Sequence, residues 1–267
     1  MSHVIAIANQ KGGVGKTTTA INLGAALAVA EKRTLVIDID PQGNATSGLG
    51  VGDRSLRPTI YSVLIGQRPI HEAILKSVHF PHLDVVPSTR DLVGAEIELV
   101  SAISRETILR GAMEHIREEY DYILVDCPPS LGLLTLNTLT AADSVLIPIQ
   151  CEFYALEGLS QLLNTVRLVQ KGLNPSLEIE GVLLTMFDKR LNLSKQVAEE
   201  AREYFGPKVY RTAIPRNVRL AEAPSFGQPI VEYDVVSAGA EAYLELAGEV
   251  IERNTRAEAA QRVGVAP

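Results

Sequence analysis

A glycine-rich stretch, NQKGGVGKTT at residues 9–18, separates a short apolar run from a helical pattern near the N-terminus. The run before it, His3–Ala8, is apolar and β-branched, and the pattern after it extends from Thr17 to about Ala30. Glycines allow close approaches that side chains would forbid, and the backbone amides at the start of a helix attract anions. A strand, this loop and a helix in succession therefore predict a phosphate-binding site.

Two lysines give this loop its chemistry. Lys16 would supply a point charge to β- and γ-phosphates, and the Thr17 hydroxyl is a ligand for Mg²⁺. The ordinary pattern, G-x-x-x-x-G-K-[ST], has a glycine where this chain has Gln10, and Lys11 follows it. A glycine-rich turn with accidental lysines would not keep the strand, the helix and GKTT in register. The loop residues predicted to bind nucleotide are Lys11, Gly12, Gly13, Val14, Gly15, Lys16, Thr17 and Thr18.

Strand and helix patterns alternate along the rest of the chain. Thr34–Asp40 is continuously apolar before its carboxylates, which is typical of a buried parallel strand. The other predicted strands are Leu83–Pro87, Tyr122–Asp126, Ser144–Ile149, Glu180–Met186 and Lys208–Thr212. The later predicted helices are Arg90–Ile103, Arg105–Glu119, Leu131–Ala141, Tyr154–Lys171, Ser194–Phe205 and Ser237–Asn254. This alternation predicts an α/β fold: a single doubly wound, mainly parallel sheet with helices on both faces, of the Rossmann-like P-loop NTPase type.

Several motifs together resemble the ParA/MinD superfamily of ATPases. KGGVGKTT at 11–18 is similar to the deviant Walker A motif of that superfamily. DIDPQGNATSGLG at 38–50, ILVDCPPS at 123–130 and IPRNVRLAEAPSFGQPI at 214–230 closely resemble the chromosome-partitioning ATPases called ParA or Soj. The resemblance covers nearly the whole chain. It implies an ATPase with slow basal turnover that dimerises with ATP, binds DNA non-specifically as a dimer, and hydrolyses ATP when a ParB-type partner stimulates it.

The resemblance also implies roles for single residues. Lys11 would cross the dimer interface to the partner subunit's phosphates and stabilise charge there, as an arginine finger does. Asp40 would orient the attacking water, and Asp126 would be the Walker B acid. Both carboxylates would reach Mg²⁺ through water, which suits an ion that keeps several waters. The implied catalytic residues are Lys11, Lys16, Asp40 and Asp126. For Asp38 a structural and a functional role both stay open.

The resemblance sets the expected extent of the ATPase domain. We expect a P-loop ATPase domain over residues 1–254 and a polar, alanine-rich tail over 255–267. Pro215 and Asn217 match the loop that holds the adenine in the family, and ATP and Mg²⁺ are the implied cofactors. Proline, glycine and asparagine cluster at 41–58, where a long loop is expected.

Local charge bears on DNA binding. The net charge of −7 opposes contact with a polyanion, but Met186–Leu220 alone has a net charge of +4. Arg190 and Arg219 match positions that contact DNA phosphates in the family, and Arg216 and Lys195 are further candidates. Nothing in the chain resembles a helix-turn-helix, so we expect binding that is independent of DNA sequence.

Three rival functions make different demands on the sequence. A MinD-like, membrane-associated positioning ATPase needs a C-terminal amphipathic helix, and residues 253–267 lack bulky apolar side chains on one face. A nitrogenase-type iron protein needs a second cluster cysteine between residues 60 and 120, where none occurs, so Cys127 and Cys151 are interpreted as buried thiols. A scaffold that never hydrolyses ATP would have no need for Lys11 or Asp40.

The sequence shows neither a signal peptide nor an apolar run of membrane-spanning length. We therefore expect a cytoplasmic, nucleoid-associated protein that contacts no membrane. Its expected partners are a second copy of itself, non-specific double-stranded DNA and a ParB-type centromere-binding protein. We expect no additional domain before the glycine-rich loop, which would favour a chromosomal over a plasmid cargo, and the cargo itself stays open.

Overall fold

Seven strands form one sheet in the computed structural model, which describes residues 2–52, 58–152 and 159–262. The strands are β1 (His3–Ile7), β2 (Thr34–Asp38), β3 (Leu83–Val86), β4 (Tyr122–Asp126), β5 (Ser144–Gln150), β6 (Glu178–Phe187) and β7 (Val209–Pro215). Their order is β3-β2-β4-β1-β5-β6-β7, and every neighbouring pair is parallel. Each predicted strand overlaps an observed one, and the predicted doubly wound parallel sheet is confirmed.

Helices connect successive strands, and three more α-helices follow β7 in the described part of the chain. They are α1 (Lys16–Val29), α2 (Asn44–Gly48), α3 (Ile60–Leu64), α4 (Ile70–Ala73), α5 (Leu92–Glu98), α6 (Ile108–Met113), α7 (Leu133–Ala141), α8 (Leu159–Gly172), α9 (Asn192–Phe205), α10 (Val218–Glu222), α11 (Ile230–Tyr233) and α12 (Ala238–Arg262). Short 3₁₀ helices occupy Leu99–Ser101, Arg117–Glu119, Gly206–Lys208 and Ala223–Phe226.

Alternate residues of the strands enter two separate apolar clusters, one on each face of the sheet. In β1, Val4 and Ala6 belong to one cluster, whereas Ile5 and Ile7 belong to the other. Residues of α3 to α9 complete the first cluster, and residues of α1, α2 and α10 to α12 complete the second. Because both faces are covered, the strands are apolar throughout instead of alternating with polar residues.

Two predicted segments in the first half of the chain differ from the structure. The predicted loop 41–58 contains the helix α2, because the backbone amide and hydroxyl of Thr46 donate hydrogen bonds to the buried Asp38 carboxylate. Residues 53–57 of that loop lie outside the described part. The predicted helices at 90–119 are shorter, since Ser104 has a positive φ of 54° and the Arg105 guanidinium caps the preceding turn at the Val100 carbonyl.

The C-terminal helix is longer than predicted. α12 continues to Arg262, so the predicted end at Asn254 is wrong, and residues 255–262 of the predicted tail are helical. Alanine favours helix, and an Arg256–Glu252 ion pair one turn apart adds support. Within the described residues, no helix has both the length and the apolar composition needed to cross a membrane. The predicted start of the helix before Leu159, and residues 263–267, lie outside the described part.

α1 packs closely on the sheet at Gly24. A Cβ at this position would lie 2.6 Å from Val36 Cγ2 of β2, well inside van der Waals contact. The glycine therefore sets how near α1, and the loop that precedes it, lies to the strands.

Replacing Gly24 by alanine is expected to lower the free energy of unfolding. Overpacking of about 1–3 kcal/mol outweighs the roughly 1 kcal/mol that alanine gains over glycine inside a helix. Gly248 of α12 meets nothing within 4 Å of its Cβ position, so Gly248→Ala is expected to raise stability by about 0.5–1 kcal/mol. Urea unfolding measures both variants, and stabilisation by both would contradict the packing of α1.

Candidate functional site

The glycine-rich loop joins the carboxyl end of β1 to the first residue of α1. Gly13 and Gly15 have positive φ values of 74° and 90°, a conformation that glycine adopts without strain. Gly15 is the N-cap of α1, and no side chain within the described ranges caps the helix. The first amides of a 14-residue helix are thus available to an anion, with the helix dipole favouring negative charge there.

Two side chains that sequence analysis missed hold this loop in place. Asn9 donates from Nδ2 to the Pro148 carbonyl (2.7 Å) and accepts from the Lys11 amide at Oδ1 (3.0 Å). The Thr185 hydroxyl donates to the Val14 carbonyl at 2.8 Å. Both side chains are buried. A polar residue in the otherwise apolar run VLLTMF was the available signal for Thr185.

The two lysines of the loop have different surroundings. Lys16 is buried, and its Nζ donates to the Lys11 carbonyl at 3.1 Å. Burial lowers the pKa of Lys16, and the nearby Asp126, Cys127 and Asp40 oppose that shift. Lys11 is partly exposed, and within the described residues its ammonium forms no ion pair. The Lys16 ammonium is therefore engaged inside the subunit, whereas the Lys11 ammonium has no ion-pair partner in the described part of the chain.

Asp126 ends β4 inside the molecule, beneath the loop. Its side chain is fully buried, and neither carboxylate oxygen has a hydrogen bond of normal geometry to any residue that the structure describes. Burial, followed by the charge of Asp38, raises the pKa of Asp126 well above its usual value, and the nearby Thr17 hydroxyl and Lys16 act in the opposite direction. A buried carboxylate without partners beside a hydroxyl fits a hard divalent cation such as Mg²⁺. Thr17 and Asp126 are the residues that would hold it.

Asp38 has a structural position beside the candidate site. It is fully buried and is the register partner of Asp126 on the neighbouring strand. Its carboxylate accepts from the Thr46 amide and hydroxyl, each at 2.7 Å, and from the Asp40 amide at 3.1 Å. Burial raises the pKa of Asp38 to about 6, although these hydrogen bonds lower it. These hydrogen bonds give Asp38 a structural role, because they shape the loop that carries Asp40.

Asp40 is held by its backbone while its carboxylate stays near the glycine-rich loop. The Ser88 hydroxyl donates to the Asp40 carbonyl at 2.8 Å, and the Gln42 amide donates to Asp40 Oδ1 at 2.9 Å. The negative charge of Asp40 raises the pKa of Lys16 and that of Asp126. The structure thus brings Lys16, Asp40 and Asp126 together, and of Lys11 it places the backbone carbonyl beside Lys16. It also adds Ser88 and Thr46, which the sequence did not single out.

Pro215 and Asn217 lie at the same edge of the sheet as the glycine-rich loop. Pro215 ends β7 opposite Phe187 of β6, the strand whose Thr185 contacts the loop. The Asn217 side chain accepts from the Arg219 amide at 2.8 Å and caps α10. Contact of these two residues with an adenine stays a prediction.

The predicted DNA-binding arginines are exposed, but each is paired with acids of the same chain. Lys195 is also exposed, on α9. The partners are Asp188 for Arg190, Glu152 for Arg216, and Glu222 and Asp234 for Arg219. Three of these acids come from outside the segment 186–220, so the surface is less positive than the +4 of that segment suggests. DNA contact by these side chains stays a prediction.

Both cysteines are buried, as interpreted from the sequence. Burial raises the pKa of the Cys127 thiol to about 12 and that of Cys151 to about 11, so both stay protonated at neutral pH. In the described part of the chain, His, Cys, Asp and Glu side chains form no group of three or more that could hold a metal ion. A cation at Thr17 and Asp126 would therefore complete its shell with water and phosphate oxygens.

This loop at the carboxyl edge of a parallel sheet defines a P-loop NTPase fold, and residues 2–179 match a family described as AAA domain. The chain is 62% identical over 250 residues to "Sporulation initiation inhibitor protein Soj" of Bacillus subtilis (strain 168), covering 94% of this chain and 98% of that one. It is 58% identical over 263 residues to "Chromosome partitioning protein ParA" of Myxococcus xanthus (strain DK1622), covering 98% and 93%. The chain belongs to the ParA/Soj family of chromosome-partitioning proteins.

A solved structure shares the nucleotide-binding architecture. Cobyrinic acid a,c-diamide synthase from Mycobacterium smegmatis, with a bound ATP analogue and magnesium, is 36% identical with a TM-score of 0.83 and covers 96% of each chain. The Soj and ParA relatives are much more similar in sequence, so they carry more weight for the role of this chain.

Thr185→Val is expected to weaken binding of Mg·ATP, because it leaves the Val14 carbonyl without its donor and loosens the loop. A lost buried hydrogen bond of about 1 kcal/mol corresponds to about a fivefold higher Kd. Thr165→Val is the matched control, since that hydroxyl donates to a helix carbonyl on the exposed surface of α8. Calorimetric titration measures both, and an unchanged Kd for Thr185→Val would show that the loop does not depend on this hydrogen bond.

Proposed function

We propose that this protein is an ATPase that acts as an ATP-dependent dimeric switch in DNA partitioning. ATP and Mg²⁺ bind at the glycine-rich loop, and two subunits then close so that Lys11 of each reaches the nucleotide of the other. The dimer binds DNA without sequence preference on the nucleoid, until a ParB-type partner stimulates hydrolysis. The observation that carries the proposal is the difference between the two lysines. The Lys16 ammonium is hydrogen-bonded inside the subunit, whereas the Lys11 ammonium has no ion-pair partner among the described residues.

The nucleotide site has groups for each part of ATP·Mg²⁺. Amides of residues 12–18 surround phosphate oxygens, and the buried Lys16 supplies a charge that little solvent screens. Thr17 and Asp126 would hold the Mg²⁺, which neutralises charge on the β- and γ-phosphates when bound. Asp40, fixed by its backbone hydrogen bonds, orients the attacking water. The solved structure with ATP analogue and magnesium supports these cofactors.

Lys11 makes the nucleotide part of the dimer interface. Phosphoryl transfer spreads negative charge over the γ-phosphate, and a cation delivered by the other subunit stabilises that charge only when both subunits are in place. A Lys11 ammonium that is unpaired within the described residues and partly exposed is suited to this task. Nucleotide state thereby sets oligomeric state.

The paired arginines explain why DNA binding would require the dimer. Exposed ion pairs are worth about 0–1 kcal/mol, so DNA phosphates are able to replace the carboxylates that now face Arg190, Arg216 and Arg219. Because each new arginine–phosphate pair replaces an existing arginine–carboxylate pair, one subunit gains little free energy from DNA binding. Two such surfaces on one dimer bind together, and the second contact profits from a high effective concentration.

Mixing two inactive variants tests whether Lys11 acts on the partner's nucleotide. Lys11→Ala and Asp40→Ala homodimers are each expected to lose hydrolysis. A mixed dimer keeps one intact site, which combines Asp40 of one subunit with Lys11 of the other. In an equal mixture, phosphate release is therefore expected to recover to about a quarter of the wild-type rate. No recovery in the mixture would show that Lys11 acts within its own subunit.

Arg219→Ala is expected to weaken DNA binding with a non-hydrolysable ATP analogue about tenfold and to reduce the log–log salt slope by about 2 per dimer. Arg33→Ala is the matched control, because its side chain is 52% exposed against 54% for Arg219 and is also ion-paired. Arg33 precedes β2 and so lies at the opposite edge of the sheet. Fluorescence anisotropy with random duplex measures both, and equal effects would contradict a DNA surface at Arg219.

A further inference from the structure

The segment that carries Asp40 touches the segment that carries Arg219 at two glycines. Gly50 follows α2, Gly227 follows the 3₁₀ helix Ala223–Phe226, and their φ values are 66° and 67°. A Cβ on Gly50 would lie 3.0 Å from the Gly227 carbonyl oxygen, and one on Gly227 would lie 2.7 Å from Gly50 Cα. The two backbones are therefore in contact at a distance that a side chain on either residue would prevent.

A closed set of buried hydrogen bonds links Asp40 to Gly50. Asp38 accepts from the Asp40 amide and from the Thr46 amide and hydroxyl. Ser88 donates from its amide to the Thr46 hydroxyl at 2.8 Å and from its own hydroxyl to the Asp40 carbonyl at 2.8 Å. The Gly50 amide then donates to the last turn of α2 at 2.9 Å. Hydrogen bonds therefore connect Asp40 to α2 and Gly50.

Beyond the contact with Gly50, Gly227 is connected to Arg219 through two consecutive short helices, the 3₁₀ helix Ala223–Phe226 and α10. The Gly227 amide donates to the Pro224 carbonyl at 3.1 Å, inside a 3₁₀ helix that continues α10 without a break. α10 and α11 have five and four residues. Helices this short have little stability of their own, so contacts such as that with Gly50 decide where they lie.

His79 forms a second link between the same two segments. Its Nε2 is 3.0 Å from the carbonyl oxygen of Leu49, the residue before Gly50. Its Nδ1 contacts the carboxylate of Glu232 on α11. The loop after β2 is therefore attached to residues 218–233 at two neighbouring points.

We propose that the Gly50–Gly227 contact, supported by His79, transmits the position of Asp40 to Arg219 within one subunit. The inference rests on the proposed function, in which nucleotide meets Asp40 and DNA meets Arg219, and it adds a coupling that joint binding by two subunits would not require. Each ligand biases the same pair of touching segments, so each changes the affinity for the other.

Gly227→Ala tests this coupling, with Gly66→Ala as the matched control. Gly66 has a similar φ of 74° but nothing within 4 Å of its Cβ position, so both variants carry the left-handed strain and only Gly227→Ala disrupts the contact. The measured quantity is the Kd for random duplex with ADP divided by that with a non-hydrolysable ATP analogue. We expect Gly66→Ala to have the same Kd ratio as the wild type. We expect the Kd ratio of Gly227→Ala to be at least about fivefold lower than that of the wild type, because the coupling between the two sites is lost.

Dimerisation with the analogue, followed by light scattering, separates the outcomes. A lower Kd ratio for Gly227→Ala, with dimerisation intact, supports the proposal. An unchanged Kd ratio overturns it, and so does the loss of dimerisation together with DNA binding. If Gly227→Ala does not fold, His79→Ala removes the second link without a clash. A lower ratio for that variant supports the coupling, and an unchanged ratio overturns it. A wild-type protein without any nucleotide dependence would instead overturn the proposed function.

Discussion

Two carboxylates lie buried side by side on adjacent strands, Asp38 on β2 and Asp126 on β4, and the site is arranged around them. Removing a carboxylate from water is costly unless hydrogen bonds or a cation compensate. Asp38 is compensated by donors from the loop that follows it, and that loop acquires its shape in the process. Asp126 has no such donors among the residues that the structure describes, and Lys16, itself buried, supplies a positive charge near it. A divalent cation at Thr17 and Asp126 would therefore lower the energy of the folded chain.

The parallel sheet is what brings these groups together. Because all strands point the same way, residues that follow β1, β2, β4, β6 and β7 meet at one edge, although they are far apart in sequence. Asn9 and Thr185 then fix the glycine-rich loop to β5 and β6. The same edge carries Arg219, which follows β7 and belongs to the surface proposed for DNA.

The strand pattern and the P-loop were predictable because apolar runs and glycine spacing depend on residues close together in the chain. The roles of Thr46 and Ser88 were not predictable from the sequence. They depend on hydrogen bonds that form only when the loop after β2 packs against Asp38 and β3 is adjacent to β2. The pairing of Arg216 with Glu152 also needed the structure, because a charge count over a segment omits acids that arrive from elsewhere. The predicted end of the last helix was too early, because an alanine-rich polar sequence is compatible with both a solvated tail and a helix.

The central claim is that ATP decides whether this protein is a monomer or a dimer. Size-exclusion chromatography with light scattering on the Asp40→Ala variant tests it, because that variant is expected to retain ATP unhydrolysed. We expect the chain mass of 28.9 kDa without nucleotide and with ADP, and about twice that mass with ATP. A monomer under all three conditions would contradict the account.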